Sequence, residues 1–257
     1  MSLLHSSPRT YGIPRTRWRL QDVRRALSWL QGYSDAGIYK VLKRLGFSRK
    51  QAINFIHSPD PDYRAKWQAV LRAYSEAVAH PAEVLLLFMD ELTYYRRPSK
   101  APAYHQTGAT QPQAREVAGP NTQTRLVAVL NAVTGQVTYL QRSKIGAEAL
   151  ALFYAQIRSA YPEATKIYVA QDNWPVHKLD LVYQALQLQR MTPLFLPTYA
   201  SWLNPIEKLW RWLKQDVLHL HRLASQLQEL RQQVLVFLDQ FKNGSDQLLH
   251  YVGILSE

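Results

Sequence analysis

Cysteine is absent from this 257-residue chain, which excludes structural disulfides and any Cys-ligated zinc centre. No run of about 18 apolar residues occurs, so no helical membrane span is expected. The opening MSLLHSSPRTYGIPRTRWRL has neither an apolar stretch nor a cleavage signature, and no secretory signal is read there. A Gly-x-x-x-x-Gly-Lys-Ser/Thr loop is missing, which disfavours a P-loop nucleotide engine. There is also no Gly-x-Ser-x-Gly elbow and no thiol nucleophile. Internal repeats and low-complexity tracts are absent.

Negative charge is scarce, with 19 Asp+Glu against 31 Lys+Arg and a formal net charge of +12. Such a balance favours a polyanionic partner. The excess is uneven: residues 1–80 hold 14 basic and 5 acidic residues, the remainder 17 and 14. Hydrophobic residues make up 47 %, enough to bury a substantial core and unlike a disordered chain.

Two grammars follow one another. Residues 1–17 read as an irregular basic arm. Leu20, Val23, Leu27 and Leu30 have helical spacing, ended by Gly32. Ile38, Val41, Leu42 and Leu45 mark a second helix, closed by Gly46-Phe47. Ser48 and Gln51 form a capping-box pattern that opens a third helix. There Ala52, Ile53 and Ile56 share one face, while Lys50, Gln51, Asn54 and His57 lie opposite. This is the order of a helix-turn-helix; a small helical bundle with a solvated polar face fits the same pattern. HSPDPDY reads as a loop, and residues 63–79 as a helix broken by Pro81. The boundary is expected near there, giving a basic helical region over 1–80 and a second domain over 81–257.

In the second domain Val84–Met89 is a continuous apolar run, the mark of a strand covered on both faces. Thr124–Ala132 and Gln136–Leu140 flank a Thr134-Gly135 turn. A helix over Gly146–Ala160, a strand over Lys166–Ala170, a helix over Leu179–Leu188, a strand over Thr192–Leu196 and a helix over Asn204–Leu218 follow. The order β, β, β, α, β, α, β, α argues an α/β fold, a mixed sheet with helices on both faces. Residues 96–121, rich in Pro, Gln, Thr and Gly, read as a long excursion. Leu220, Leu223, Leu227, Leu230, Val234, Phe237 and Phe241 step by threes and fours; they either pack on the sheet or form a dimer seam.

Asp90 follows the first apolar run and Asp172 follows KIYVAQ. If those strands are parallel neighbours, both carboxylates emerge at the sheet edge where α/β proteins bind ligands. Mutual repulsion there would be relieved by a hard divalent cation such as Mg²⁺. A third carboxylate, Glu207, opens the helix after Asn204-Pro205. Asn204 suits an N-cap and Pro205 the first helical position, so Glu207 reads either as a metal ligand or as the end of a capping box paired with Arg211. His177 has no His partner at four-residue spacing and makes no zinc pattern; it reads as a loop histidine or a DNA contact. The tryptophans Trp174, Trp202, Trp210 and Trp212 read mainly as core.

FMDEL, VAQDNWPVHK and LPTYASWLNPIEKLWRWLK resemble the bacterial insertion-sequence branch of the mariner superfamily of DDE transposases. Asp172 and Glu207 have 34 residues between them, the spacing of that branch. The resemblance covers about residues 84–240, and RTRWRL, RLGFSRK and HSPDPDY look like the family's winged helix-turn-helix entry. It implies a ribonuclease-H-like catalytic domain with Asp90, Asp172 and Glu207 as catalytic, metal-binding triad, and Asn173, His177 and Asn204 in support. It implies two Mg²⁺ ions roughly 3.5–4 Å apart, with Mn²⁺ able to substitute. The implied reaction is nicking at transposon ends and strand transfer to target DNA, without a covalent protein–DNA intermediate. The implied partners are double-stranded DNA and, in the synaptic complex, a second copy of the chain. Arg15, Arg17, Arg19, Arg49, Lys50, Gln51 and Asn54 are the expected DNA-binding residues. The setting implied is a bacterial cytoplasm, on the nucleoid when DNA-bound. Members of this branch carry another helix-turn-helix module ahead of this one, so an incomplete N-terminal region is expected. The competing readings are a DNA-binding remnant that no longer cuts, and a related ribonuclease-H-like nuclease without strand transfer.

Overall fold

The structure, a computed structural model, describes residues 3–50, 57–108 and 110–255. It divides into two compact units, Met1–Phe55 and Ile56–Glu257.

The first unit is helical. Helix α1 spans Leu20–Ala26 and α2 spans Asp35–Arg44, separated by a 3-10 turn, Ser28–Leu30. The expected single helix over 20–30 is thus broken at Leu27, whose backbone is extended. Ser34 caps α2 by accepting the Gly37 N–H at 3.2 Å, satisfying one of the orphan donors of a helix start. Val23, Leu30 and Ile38 are buried together, with Trp18, Leu20, Leu27, Val41 and Leu42 packed around them. The expected third helix falls mostly on residues 51–56, outside the described residues, as do Gln51 and Asn54.

The second unit is a five-stranded mixed sheet. Helix α3 (Tyr63–Ala79) precedes β1 (Val84–Tyr95), β2 (Gln123–Asn131), β3 (Val137–Arg142), α4 (Ala147–Ala160), β4 (Lys166–Gln171), α5 (Asp180–Leu188), β5 (Met191–Phe195), α6 (Ile206–Leu213), α7 (Leu227–Asp239) and α8 (Asp246–Val252). The sheet order is β3-β2-β1-β4-β5. β1 is antiparallel to β2 and parallel to β4, and β4 is parallel to β5. Strand β1 runs six residues beyond the apolar stretch read from sequence. After β4 leaves it at Phe88↔Ala170, residues 89–95 continue to pair with β2.

Alternation along β1 sorts its side chains onto two faces. Leu86, Phe88, Leu92 and Tyr94 join one core with residues of α3, α6, α7 and α8; Leu85, Leu87 and Met89 join another with residues of α4 and α5. Helix α3, which a boundary at Pro81 places in the N-terminal region, packs on this sheet: Val70, Ala73 and Ala77 are buried in the first core. Leu230, Val234, Phe237 and Phe241 are buried there too, which fits the packing reading of the C-terminal segment. Leu220 and Leu223 lie before α7 rather than on it. The β2–β3 turn needs its glycine: Gly135 has φ +69°, and a Cβ there would lie 2.3 Å from the Ser245 carbonyl oxygen.

Candidate active site

The β1–β4 pairing positions two carboxylates. Their parallel register runs from Val84↔Lys166 to Phe88↔Ala170, so two residues further along each strand stand Asp90 and Asp172. Asp172 lies just past the end of β4. Asp90 lies within β1, still paired with Ala128 of β2. It shares the parity of Leu86 and Phe88, and its Oδ2 accepts the Trp210 Nε1–H at 2.9 Å.

Glu207 arrives in the first turn of α6. Asn204 does not cap this helix. Its amide donates instead to the Met89 carbonyl at 3.0 Å, and the residue is buried. The capping box therefore does not form, and Asn204 ties the start of α6 to β1 one residue from Asp90. The expected helix over 204–218 is shorter, passing at Lys214–Leu218 into a π-helical turn.

Asp90, Asp172 and Glu207 line one cleft of about 370 Å³ with Asn173, Trp174, Asn204 and the 196–201 loop. Asn173 secures that loop by donating to the Leu196 carbonyl at 2.6 Å. HSPDPDY secures it from another side. The Ser58 hydroxyl donates to the Thr198 carbonyl at 2.6 Å, and the Asp60 carboxylate accepts the Thr198 N–H at 2.8 Å while pairing with Lys66 at 2.7 Å. These contacts hold the Asp60 carboxyl far below the usual range. Tyr199, on the same loop, is exposed with φ +55°.

The electrostatics of the cleft are unbalanced. Burial pushes the Asp90 carboxyl up to about 8, with repulsion from Glu207 and Glu91 adding to it. Burial also raises Glu207, and repulsion from Asp172 adds, against the pull of Lys214 and Arg211. For Asp172 burial acts upward, but contacts from His177 and the Trp174 N–H outweigh it and hold the carboxyl low. His177 is buried, so among the described residues it is placed to serve the interior of the site rather than a DNA surface. Burial would lower its pKa, yet the Asp172 and Glu91 carboxylates raise it to about 9.

Two participants were missed in sequence. Glu91 follows Asp90 in sequence without a role of its own; strand alternation turns it toward the α4–α5 side, where it meets His177. Trp210 read as core, which it is, but its N–H also reaches Asp90. The period-two alternation through Asp90-Glu91 was the available signal for the first.

In the N-terminal unit, Arg17, Arg19, Arg49 and Lys50 are exposed. Arg15 is half-buried, its Nε 3.4 Å from Asp22. Arg15, Arg17 and Arg19 line a small depression with Arg9.

Residues 85–231 match the family of DDE superfamily endonucleases. An "Insertion element IS630 uncharacterized 39 kDa protein" of Shigella sonnei is 24% identical over 234 residues, covering 89% of this chain and 66% of that protein. The chain thus spans just under two thirds of that relative's length. Among solved structures, a Mos1 transposase paired-end complex with the left transposon end aligns at TM-score 0.63 and 14% identity, over 94% of this chain and 76% of that one. A mariner Mos1 paired end complex with Mg aligns at 0.64 and 14%, over 94% and 77%. At those identities the likeness is one of fold, and it bears out the ribonuclease-H-like architecture expected from the motifs.

Proposed function

Because the chain belongs to the DDE superfamily of endonucleases, we propose that it is the catalytic part of a transposase, which cuts DNA at transposon ends and joins them to a target. The observation that carries this is the convergence of Asp90, Asp172 and Glu207 on one cleft just beyond the point where the β1–β4 pairing ends.

The donor set fits two Mg²⁺ ions, with Mn²⁺ as substitute. It is all oxygen, as hard divalent ions prefer. Asp90 is also destabilised as a carboxylate by burial and by Glu207, the situation a cation relieves. Mos1 complexes have been solved with Mg and with Mn. Bound by these three carboxylates, the ions would supply charge stabilisation for the attacking and leaving oxygens of an in-line phosphoryl displacement.

The protein's own part is positioning. Trp210 orients Asp90, Asn204 fixes the start of α6 against β1, and Asn173 and Asp60 hold the loop that walls the cleft. Arg211 and Lys214, near enough to pull on Glu207, present positive charge where a phosphate backbone would approach. Arg17, Arg19, Arg49 and Lys50 suit phosphate contacts from the N-terminal unit. Double-stranded DNA is the partner, in a bacterial cytoplasm, and a second copy would be needed to bring two ends together. No helix among the described residues is long and apolar enough to cross a membrane.

Glu207→Gln gives the sharpest test, since the cleft and not a helix cap explains its position. Mg²⁺-dependent nicking of duplex carrying transposon ends should fall by several orders of magnitude, with thermal stability and DNA affinity preserved. Near-normal nicking by the folded variant would remove Glu207 from the site. Nicking without joining to a second duplex would leave a nuclease rather than a transposase.

A further inference from the structure

On the side of β1 opposite Asp90, three potential ligand atoms meet: Glu91 Oε1, Asp172 Oδ1 and His177 Nε2, all within 4.8 Å of one another. They come from a strand interior, a strand end and the 3-10 turn Pro175–Lys178, so no ligand spacing in the sequence marks them. His177 is 1 % exposed, and its ring is braced edge-on by Trp174, with centroids 5.4 Å apart.

The separations are informative. His177 Nε2 stands 3.4 Å from Asp172 Oδ1 and 3.5 Å from Glu91 Oε1. An N–H···O hydrogen bond spans about 2.7–3.2 Å, and neither ring nitrogen of His177 nor Oε1 of Glu91 makes one. Around a tetrahedral ion with bonds of ~2.0–2.1 Å, neighbouring ligand atoms lie ~3.3–3.4 Å apart. Both His177 separations are thus compatible with shared coordination; the Glu91 and Asp172 oxygens lie within 4.8 Å of each other and would stand within ~4.2 Å on a bound ion. Buried polar atoms left without partners are rare and call for an occupant.

We propose that Glu91, Asp172 and His177 form a second metal centre, selective for a zinc-like transition-metal ion, with the fourth position left for water. One imidazole and two carboxylates suit Zn²⁺ and its neighbours in the first transition row; Mg²⁺ favours all-oxygen sets. Asp172 is common to this centre and to the proposed catalytic triad, so the inference rests on that reading only for its link to catalysis. The binding stands whether or not the triad cuts DNA.

The test uses the full chain carrying Asp90→Asn and Glu207→Gln, which disables the triad and leaves the second centre whole. Co²⁺, a spectroscopic stand-in for Zn²⁺, should bind at one equivalent with the visible bands of a low-coordinate ion. Zn²⁺ should displace it and excess Mg²⁺ should not. Adding Glu91→Gln should weaken Co²⁺ at least ~10-fold, the lower end of what loss of even an outer-shell partner costs. Unchanged affinity in that variant, or no Co²⁺ bound by a parent that melts normally, overturns the proposal. The second outcome leaves His177 as an ion-pair bridge between the two carboxylates. A measurement without substitution supports the same decision. In ¹⁵N-histidine-labelled wild-type protein, Zn²⁺ should move the Nε2 resonance of His177, and a resonance that stays put refutes the site. Failure of the triad would appear separately, as nicking that survives Asp90→Asn.

Discussion

Asp90→Asn should make the metal-free protein more stable while abolishing its cutting. The side chain keeps its size, and an amide oxygen can still accept the Trp210 N–H. What disappears is a charge that the fold disfavours. The Asp90 carboxyl is raised from 3.8 to about 8, chiefly by burial and then by Glu207 and Glu91. A folded pKa above the unfolded one means that the group's contribution is complete below about pH 4. It is then lost as pH climbs through 8. Carried from 3.8 to pH 7 at ~1.4 kcal/mol per unit, the loss reaches ~4 kcal/mol, against a typical total stability of ~5–15 kcal/mol. Water entering the open cleft screens part of this, so a gain of ~2–4 kcal/mol at pH 7 is expected for the variant. The assay is urea unfolding of both proteins in EDTA from pH 4 to 8. His177, raised to about 9, adds a loss of the same sign between about pH 6.5 and 9. Asp172 and Glu76, both lowered, add stability that is present above their unfolded pKa and lost as pH falls. These contributions are common to both proteins, so the difference curve reports Asp90 together with its repulsion of Glu207: near zero at pH 4 and growing toward pH 8. Mg²⁺ or Mn²⁺ should close the gap by stabilising the wild type. A difference curve that stays flat with pH would refute the reasoning, and so would a variant less stable than wild type at pH 7.

Trp210→Phe removes the N–H that orients Asp90 and also shrinks a fully buried indole to a phenyl; it should raise the Mg²⁺ concentration for half-maximal nicking and cost ~2–4 kcal/mol in urea unfolding, the lost hydrogen bond and the cavity together. An unchanged metal dependence would make Trp210 core alone. Arg17→Ala with Arg19→Ala should weaken duplex binding across all sequences and reduce the slope of log affinity against log salt by ~1 for each lost phosphate contact, measured by fluorescence anisotropy; an unaltered slope would clear these residues of contact. Val234→Asp, in a fully buried position of the first core, should cost at least ~3 kcal/mol as an unpaired buried charge. A folded protein changed only in light-scattering mass would instead revive the dimer seam.

The site was readable from sequence where local pattern and long-range pairing agree. Asp172 could be placed because KIYVAQ is a complete strand whose end is visible in the sequence. Asp90 was placed at the correct edge for a partly incorrect reason. The apolar run stops at Met89, but the strand does not, since residues 91–95 pair with β2 across an excursion that no local signal spans. That continuation fixes the parity of Glu91 and turns it toward His177. Glu207 shows the same limit in another form. Asn204, Pro205 and Glu207 satisfy every local rule for a capped helix start, yet Asn204 donates to Met89, 115 residues away in sequence. The Asn204 amide is turned so that its nitrogen serves the Met89 carbonyl, and its oxygen, buried, caps no helix N–H. Pro81 misled in the same way. It does end α3, but a helix end is a domain boundary only if its apolar face is covered elsewhere, and Val70, Ala73 and Ala77 are buried in the sheet's first core. In each case the sequence fixes which groups need partners, while the partner is chosen by contacts the chain makes at a distance. The residues most open to misreading are therefore those at the cleft, where β1, β4 and α6 meet.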